Sequence, residues 1–223
     1  MASATPPDPL SERLARLRDE YTRAGLDESQ VAAEPLAQLG AWLNEALSAG
    51  VPEANAATLA TASPDGVPNA RIVLLKGIDA RGVTFFTNYE SAKGRELTAN
   101  PRAAVVIFWR ELERQVRIAG DVERVSRAES EAYFHSRPRG SQLGAWASRQ
   151  STAVSSRGEL DAQMAQAEKR FEGSPVPLPD SWGGYRLVPR VMELWQGRPS
   201  RMHDRLRYAE SAPGRWTIER LSP

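Results

Sequence analysis

The run Ala57-Thr-Leu-Ala-Thr-Ala-Ser63, Pro64-Asp-Gly66, Val67-Pro-Asn-Ala-Arg-Ile-Val-Leu-Leu-Lys-Gly-Ile78, Asp79-Ala-Arg-Gly82, Val83-Thr-Phe-Phe-Thr-Asn88 decides the fold class. Three stretches rich in Ala, Thr, Val, Ile and Phe alternate with two short segments of turn-forming residues. β-Branched and aromatic side chains suit a pleated, half-buried surface, and Pro-Asp-Gly and Asp-Ala-Arg-Gly supply hairpin turns. The reading is three strands, 57–63, 67–78 and 83–88, joined as antiparallel neighbours.

Working outward, the same pattern recurs between helices. Leu10, Leu14, Leu17 and Tyr21 form a helical stripe ending near Gly25, after a Pro-rich N-terminus over residues 1–9 that is expected to be mobile. A second stripe follows Pro35 through Leu36, Leu39, Trp42, Leu43 and Leu47 and stops at Gly50. Ser91 caps a short helix through Ala99, closed by Asn100-Pro101. Ala103–Trp109 and Arg114–Val125 read as another antiparallel pair, and Ser126 caps a helix to about Ser136. A Gly- and Ser-containing connector leads to a helix over 156–171 and a Pro-rich loop over 173–179. Three late strands are expected at 185–188, 191–195 and 216–221. Short hairpin-linked strands with helices at their edges predict an α+β fold, an antiparallel barrel surrounded by helices, as one domain over residues 10–223. A doubly wound parallel sheet would need regular βαβ alternation, which is absent.

Composition narrows the function. The 223 residues are 41% hydrophobic and 26% charged, ordinary values for a globular chain. A net charge of +1 gives no global field to draw the protein to nucleic acid or an acidic membrane, so positive charge must act locally. There is no cysteine, which removes disulfides and thiolate metal sites and fits a reducing compartment. The N-terminus lacks the pattern of a secretory signal and no stretch approaches the length of a membrane span, so a soluble, cytosolic protein is expected. Of 29 basic residues only Lys76, Lys93 and Lys169 are lysines.

Local positive charge collects in four places. Trp195-Gln-Gly-Arg-Pro-Ser-Arg-Met-His-Asp-Arg205 gathers three arginines, a histidine and a tryptophan on a segment punctuated by Gly and Pro. Guanidinium forks beside an indole suit a ligand with a phosphate and a flat ring; the alternative is a solvated basic loop. In Arg71-Ile-Val-Leu-Leu-Lys76 the two cations start on opposite strand faces unless a bulge intervenes. Thr87-Asn-Tyr-Glu-Ser-Ala-Lys-Gly-Arg95 brings a hydroxyl and Lys93 to a helix N-terminus, which is either an anion site or an ordinary capped helix. Tyr133 and Arg137 lie four apart on one face at a helix end, with Ser141 on the loop beyond Pro138. They can hold a second phosphate, or Arg137 can simply satisfy the last helical carbonyls. His135 points away from that face and reads as surface. No HExxH, no Gly-rich nucleotide loop and no cysteine nucleophile is present, and two distant histidines make a His-based metal site a poor reading. An organic cofactor is the better source of chemistry.

The stretches Arg71–Lys76, Thr87–Ser91, Glu113-Arg-Gln-Val-Arg117, Tyr133-Phe-His-Ser-Arg-Pro-Arg-Gly-Ser-Gln142, Gly144-Ala-Trp-Ala-Ser148 and Trp195–Arg198 with Arg201–Arg205 resemble, in this order, the pyridoxamine 5′-phosphate oxidases. The resemblance runs from about Arg18 to the C-terminus. It implies a split β-barrel, FMN, a homodimer with shared active sites, and oxidation of pyridoxamine 5′-phosphate and pyridoxine 5′-phosphate to pyridoxal 5′-phosphate. Oxygen would be the acceptor, with hydrogen peroxide and, from the amine, ammonia as products. By resemblance the FMN contacts are Arg71, Ile72, Val73, Leu74, Leu75, Lys76, Phe86, Thr87, Lys93, Gln115, Gln150, Ser151, Trp195 and Arg205. The substrate contacts are Arg18, Tyr21, Lys76, Tyr133, Arg137, Ser141, Arg201, Met202 and His203, with Arg201 and His203 at the reacting centre. Arg18 and Tyr21 match an N-terminal segment that folds over the site. Ala92 stands where many relatives carry an Arg beside the FMN phosphate, which leaves more of the anion to Lys93 and Arg71.

Overall fold

The computed structural model describes residues 9–17, 20–22 and 25–223. Most of the expected mobile N-terminus, and Arg18, lie outside the described residues. Among the described residues there are six α-helices: α1 (Pro9–Arg16), α2 (Pro35–Ser48), α3 (Ala92–Ala99), α4 (Arg127–Ser136), α5 (Arg139–Ala147) and α6 (Arg157–Arg170). The strands are β1 (Ala56–Ala62), β2 (Pro68–Leu74), β3 (Gly77–Asp79), β4 (Gly82–Asn88), β5 (Arg102–Trp109), β6 (Arg114–Arg124), β7 (Trp182–Gln196), β8 (Asp204–Ala212) and β9 (Arg215–Arg220).

All strand pairs are antiparallel, as the hairpin reading of 57–88 requires. The sheet runs β2-β1-β5-β6-β7-β4-β3, with β8 and β9 continuing from β7, and this path does not return on itself. Its spine is the 15-residue β7, whose first half pairs with β4 and whose second half pairs with β8. Alternation sends Leu59, Val105, Ile107, Val116 and Ile118 inward, where they meet Phe85, Leu187, Met192 and Leu194 in one core. Each such side chain stabilises the fold by about 1.5–3 kcal/mol. Helix α2 closes one side with Leu39 and Trp42, and the Trp109 indole N–H donates to the Ala54 carbonyl at 2.8 Å. A second cluster, with Phe134, Leu143, Phe171, Val176, Leu178 and Trp182, forms under α4, α5 and α6 and packs on Phe86 and Tyr133. Helix α4 is also tied to the sheet by the buried Arg186, which bonds Glu129 at 2.9 Å, Glu123 at 3.3 Å and Asp79 at 3.4 Å.

Four expectations about elements are corrected. The stripe Leu10–Tyr21 becomes a helix only to Arg16: Leu10, Leu14 and Leu17 are exposed, and Tyr21 belongs to an irregular segment. The expected strand 67–78 breaks at Leu75 and Lys76, where the Leu75 N–H turns to the Asn55 carbonyl and the Lys76 N–H to the Thr84 carbonyl. The late strands 185–188 and 191–195 are one strand, because a bulge in β7 at Arg190, opposite Ala119/Gly120 of β6, accommodates Pro189. A Cβ on Gly120 would lie 1.9 Å from the Val188 oxygen, so the bulge needs glycine there. Helix α5 and strand β8 are additions: Ser141 is helical, and Arg205 is in a strand. Among the described residues no helix is long and apolar enough to cross a membrane, and no His/Cys/Asp/Glu group could hold a metal.

Candidate active site

A cleft of about 790 Å³ opens between β2, β4, the start of α3 and the α4–α5 junction. Arg71, Ile72, Val73, Leu74, Lys76, Phe86, Thr87, Lys93, Tyr133, Arg137, Ser141, Gln150 and Ser151 all line it. The break after Leu74 lets Arg71 and Lys76, which would oppose each other on a continuous strand, reach the same cavity. Leu75 does not line it and is buried in the core. Ala92 lines the cleft without bringing charge.

One end is built around the first turn of α3. Ser91 caps it, accepting from the Gly94 N–H at 3.2 Å while its hydroxyl donates to the Asn88 carbonyl at 2.7 Å. The turn is so close that a Cβ on Gly94 would sit 2.1 Å from the Tyr89 oxygen. Lys93 Nζ donates to Thr87 Oγ1 at 3.1 Å and Gln150 Oε1 at 3.2 Å, with Ser91 Oγ at 3.5 Å. Those partners are neutral. Burial and the charge of Arg71 push the Lys93 ammonium below its ordinary value, with Glu96 opposing. Arg71 itself is anchored to Glu96 at 3.2 Å and to the Thr61 hydroxyl. A desolvated ammonium at a helix N-terminus with only neutral partners is a seat for an anion.

The other end is aromatic. Phe86 and Tyr133 stack with centroids 4.0 Å apart and planes at 23°, and Trp182 continues the stack on Phe86 at 5.6 Å and 13°. The Arg137 guanidinium lies 4.6 Å from the Trp182 ring centroid, a cation–π contact. Its Nη2 donates to the Ser141 carbonyl at 2.8 Å, whereas Nη1 is buried with no partner among the described residues. Burial lowers the Arg137 pKa, with Tyr133 opposing, but a guanidinium stays charged. Burial likewise raises the Tyr133 phenol against the pull of Arg137, so it remains a hydrogen-bond donor at neutral pH. Trp182, Asn69 and Ala70 also line the cleft and were missed by sequence reasoning; for Trp182 the signal was an isolated tryptophan following the Pro-rich loop. His135 is exposed, as expected, 3.8 Å from Glu131.

The remaining site residues gather elsewhere. Gln115, Trp195 and Arg205 are direct partners in the register of β6, β7 and β8, so they share one face of the sheet in a row. Trp195 packs on Tyr21 at 5.4 Å and on His203 at 4.7 Å. His203 Nδ1 accepts the Arg198 backbone N–H at 3.1 Å, and burial together with Arg201 lowers its pKa. Arg205 is held by both Glu193 oxygens, at 2.9 and 3.1 Å, and by the Ser222 carbonyl at 2.9 Å. Met202 is exposed, and the turn before it holds Ser200 and Arg201 at φ 56° and 59°, a strained geometry for residues other than glycine. None of these residues lines the cleft. Gly184, opposite Phe86, and Trp195 are eleven residues apart on β7, about 36 Å of extended contour at ~3.3 Å per residue. Within one chain the two groups therefore stand apart.

Residues 43–171 match the family model described as pyridoxamine 5′-phosphate oxidase, and residues 182–223 match the pyridoxine 5′-phosphate oxidase C-terminal dimerisation region. The chain belongs to the pyridoxamine 5′-phosphate oxidase family. Membership makes it an oxidoreductase. Relatives named pyridoxine/pyridoxamine 5′-phosphate oxidase include one from Rubrobacter xylanophilus, 57% identical over 97% of this chain and all of the relative. Another, from Ralstonia pickettii, is 59% identical over 94% of this chain and 99% of the relative. Among solved structures, PhzG from Burkholderia lata, crystallised with tetrahydrophenazine-1-carboxylic acid, has a TM-score of 0.85 and 33% identity over 92% of this chain and all of that one. A pyridoxamine 5′-phosphate oxidase-related, FMN-binding protein from Nostoc punctiforme shares the fold, with a TM-score of 0.68 at 18% identity over 87% of this chain and 99% of that one. The split-barrel expectation holds, with the sheet open rather than closed.

Proposed function

We propose that the chain is an FMN-dependent oxidase of pyridoxamine 5′-phosphate and pyridoxine 5′-phosphate. The observation that carries this reading is that one cleft has two separate unanswered cations, Lys93 among neutral oxygens and the buried Nη1 of Arg137. Two phosphates, one on the cofactor and one on the substrate, would answer them. The residues fit FMN: Lys93, Arg71 and the first turn of α3 would hold its phosphate, with Thr87, Gln150 and Ser151 along the same wall. Tyr133, Arg137 and Ser141 would hold the substrate phosphate, and Lys76 lies in the same cavity. Bound FMN supplies the two-electron acceptor that turns the substrate's C4′ amine or alcohol into the imine or aldehyde, with oxygen as the final acceptor. The overall balance is amine, oxygen and water to aldehyde, ammonia and hydrogen peroxide; the alcohol needs no water and gives no ammonia.

The protein's share is binding and orientation. Gln115, Trp195, Arg205, Arg201, Met202, His203 and Tyr21 would be contributed by a second copy, because one chain keeps them away from the cleft, and by resemblance Arg18 would join them. The match to a dimerisation region supports that assembly, as do the exposed apolar side chains Ile72 and Phe108, at 64% and 50%. Arg201 would hold the substrate and stabilise developing negative charge, and His203, its pKa lowered, would orient first and move protons second. The cysteine-free composition supports action in the cytoplasm.

The test is a visible spectrum of the purified protein followed by oxygen uptake with each substrate. A flavin band and peroxide formation are expected with both phosphates. A colourless protein that takes up no FMN would overturn the reading. Because Arg137 could equally grip a carboxylate, a tetrahydrophenazine carboxylate belongs on the substrate panel, and a preference for it would move the assignment of that end.

A further inference from the structure

A carboxylate stands just behind the anion end of the cleft, where a negative charge beside a phosphate seat should weaken it. Glu96 lies on α3, three residues after Lys93 and so on the same face of the helix. Its side chain does not line the cleft; it stands behind Arg71 with 16% of its surface exposed, against 19% for Arg71. It accepts from Arg71 Nη2 at 3.2 Å, from Asn69 Nδ2 at 3.0 Å and from the buried Thr61 hydroxyl. That same hydroxyl accepts from Arg71 Nη1, and Nη1 also reaches the Leu59 carbonyl at 3.4 Å. Glu96, Thr61 and Arg71 thus close a triangle on the side of the guanidinium away from the cavity. A guanidinium has five N–H donors; three are used here, so about two remain for a ligand. Burial alone would push the Glu96 carboxyl up, but Thr61, Asn69 and Arg71 together hold it below its ordinary value, so it is charged when it does this work.

We propose that Glu96 is a positioning residue that aims Arg71 at the cofactor's phosphate, and that it makes the site selective for a phosphorylated flavin over the unphosphorylated one. The inference rests on the FMN reading above. Glu96 acts only through Arg71: with Arg71 present it fixes a cation in place, and without Arg71 it is a bare negative charge next to the anion. The sign of its effect should therefore depend on Arg71.

The experiment measures FMN and riboflavin dissociation constants by fluorescence quenching for Glu96→Ala, Arg71→Ala and the double variant. Glu96→Ala should weaken FMN by about tenfold and leave riboflavin within about twofold, while in the Arg71→Ala background the same change should tighten FMN. Thr61→Val, which removes the bridging hydroxyl at nearly constant shape, should weaken FMN in the same direction by a smaller factor, and it carries the test if Glu96→Ala does not fold. Equal losses for FMN and riboflavin would make Glu96 a structural residue of α3 and overturn the proposal. So would an identical loss with and without Arg71. If the wild type binds riboflavin as tightly as FMN, the phosphate-seat assignment of Arg71 falls and the flavin reading stands. If it binds neither, both fall.

Discussion

The cleft and the strand row around Trp195 hold the same kinds of residue, arginines beside aromatic rings, and differ in how the cations are answered. Around Trp195 two of the three arginines are already paired: Arg205 takes both oxygens of Glu193, and Arg198 lies 3.6 Å from Asp204, which also binds Arg220 at 2.7 Å, while Arg201 is exposed. In the cleft, Lys93 meets only neutral oxygens and Arg137 keeps a buried nitrogen without a partner. A cluster of basic residues in a sequence does not by itself mark an anion site; donors left over after folding do. Arg198 and Arg205 in the basic late segment would therefore support the fold, and the sparser pair of cations in the cleft is where phosphates would be gripped.

The largest effect that could break this contrast is at Arg137. Replacing it with Ala removes a charge-assisted contact of about 1.5–3 kcal/mol, so kcat/KM for pyridoxamine 5′-phosphate should fall roughly tenfold to hundredfold. The protein should keep its flavin band, because Arg137 lies at the aromatic end and not at Lys93. Loss of flavin with normal kinetics on added FMN would mean that the two ends have been assigned in reverse.

A smaller effect sharpens the account of Lys93. Folding lowers its pKa, so the unfolded chain binds more protons between that lowered value and the ordinary lysine value. Stability of the flavin-free protein contributed by this group therefore rises as pH rises through that window, while its grip on a phosphate falls. Urea midpoints of the wild type and Lys93→Met, compared across the alkaline range, should diverge in favour of the wild type as pH increases. Parallel curves would show that burial does not strain this ammonium.

Much of the architecture was legible because it follows local rules. Ser91 and Ser126 cap helices where expected, and the turns at Pro64-Asp-Gly66 and Asp79-Ala-Arg-Gly82 deliver the antiparallel pairs β1–β2 and β3–β4. What was illegible depends on tertiary context. Strand β8 is not evident from sequence: its first two residues fall in the basic segment ending at Arg205, and within Asp204-Arg-Leu-Arg-Tyr-Ala-Glu-Ser-Ala212 only Leu206 and Tyr208 are buried, too weak an alternation to mark a strand. Helix α5 hid behind Pro138, Gly140 and Gly144, and Pro189 suggested a break in β7 that a bulge at the next residue, Arg190, accommodates. The site residues could be named from the resemblance, and Arg71, Lys93, Tyr133 and Arg137 do share a cavity. That Trp195, Arg201, His203 and Arg205 sit apart from them follows from the length and register of β7, which no local pattern encodes.

Whether two half-sites from different copies make one active site is tested most directly by mixing. Arg137→Ala impairs the cleft half and Arg201→Ala the late-loop half, and each homodimer alone should be nearly inactive at low substrate. After subunit exchange at equal amounts, half of the dimers carry both variants, and each has one intact composite site, so about a quarter of wild-type activity should return. No recovery under demonstrated exchange, or full wild-type activity from a monomer, would contradict the account.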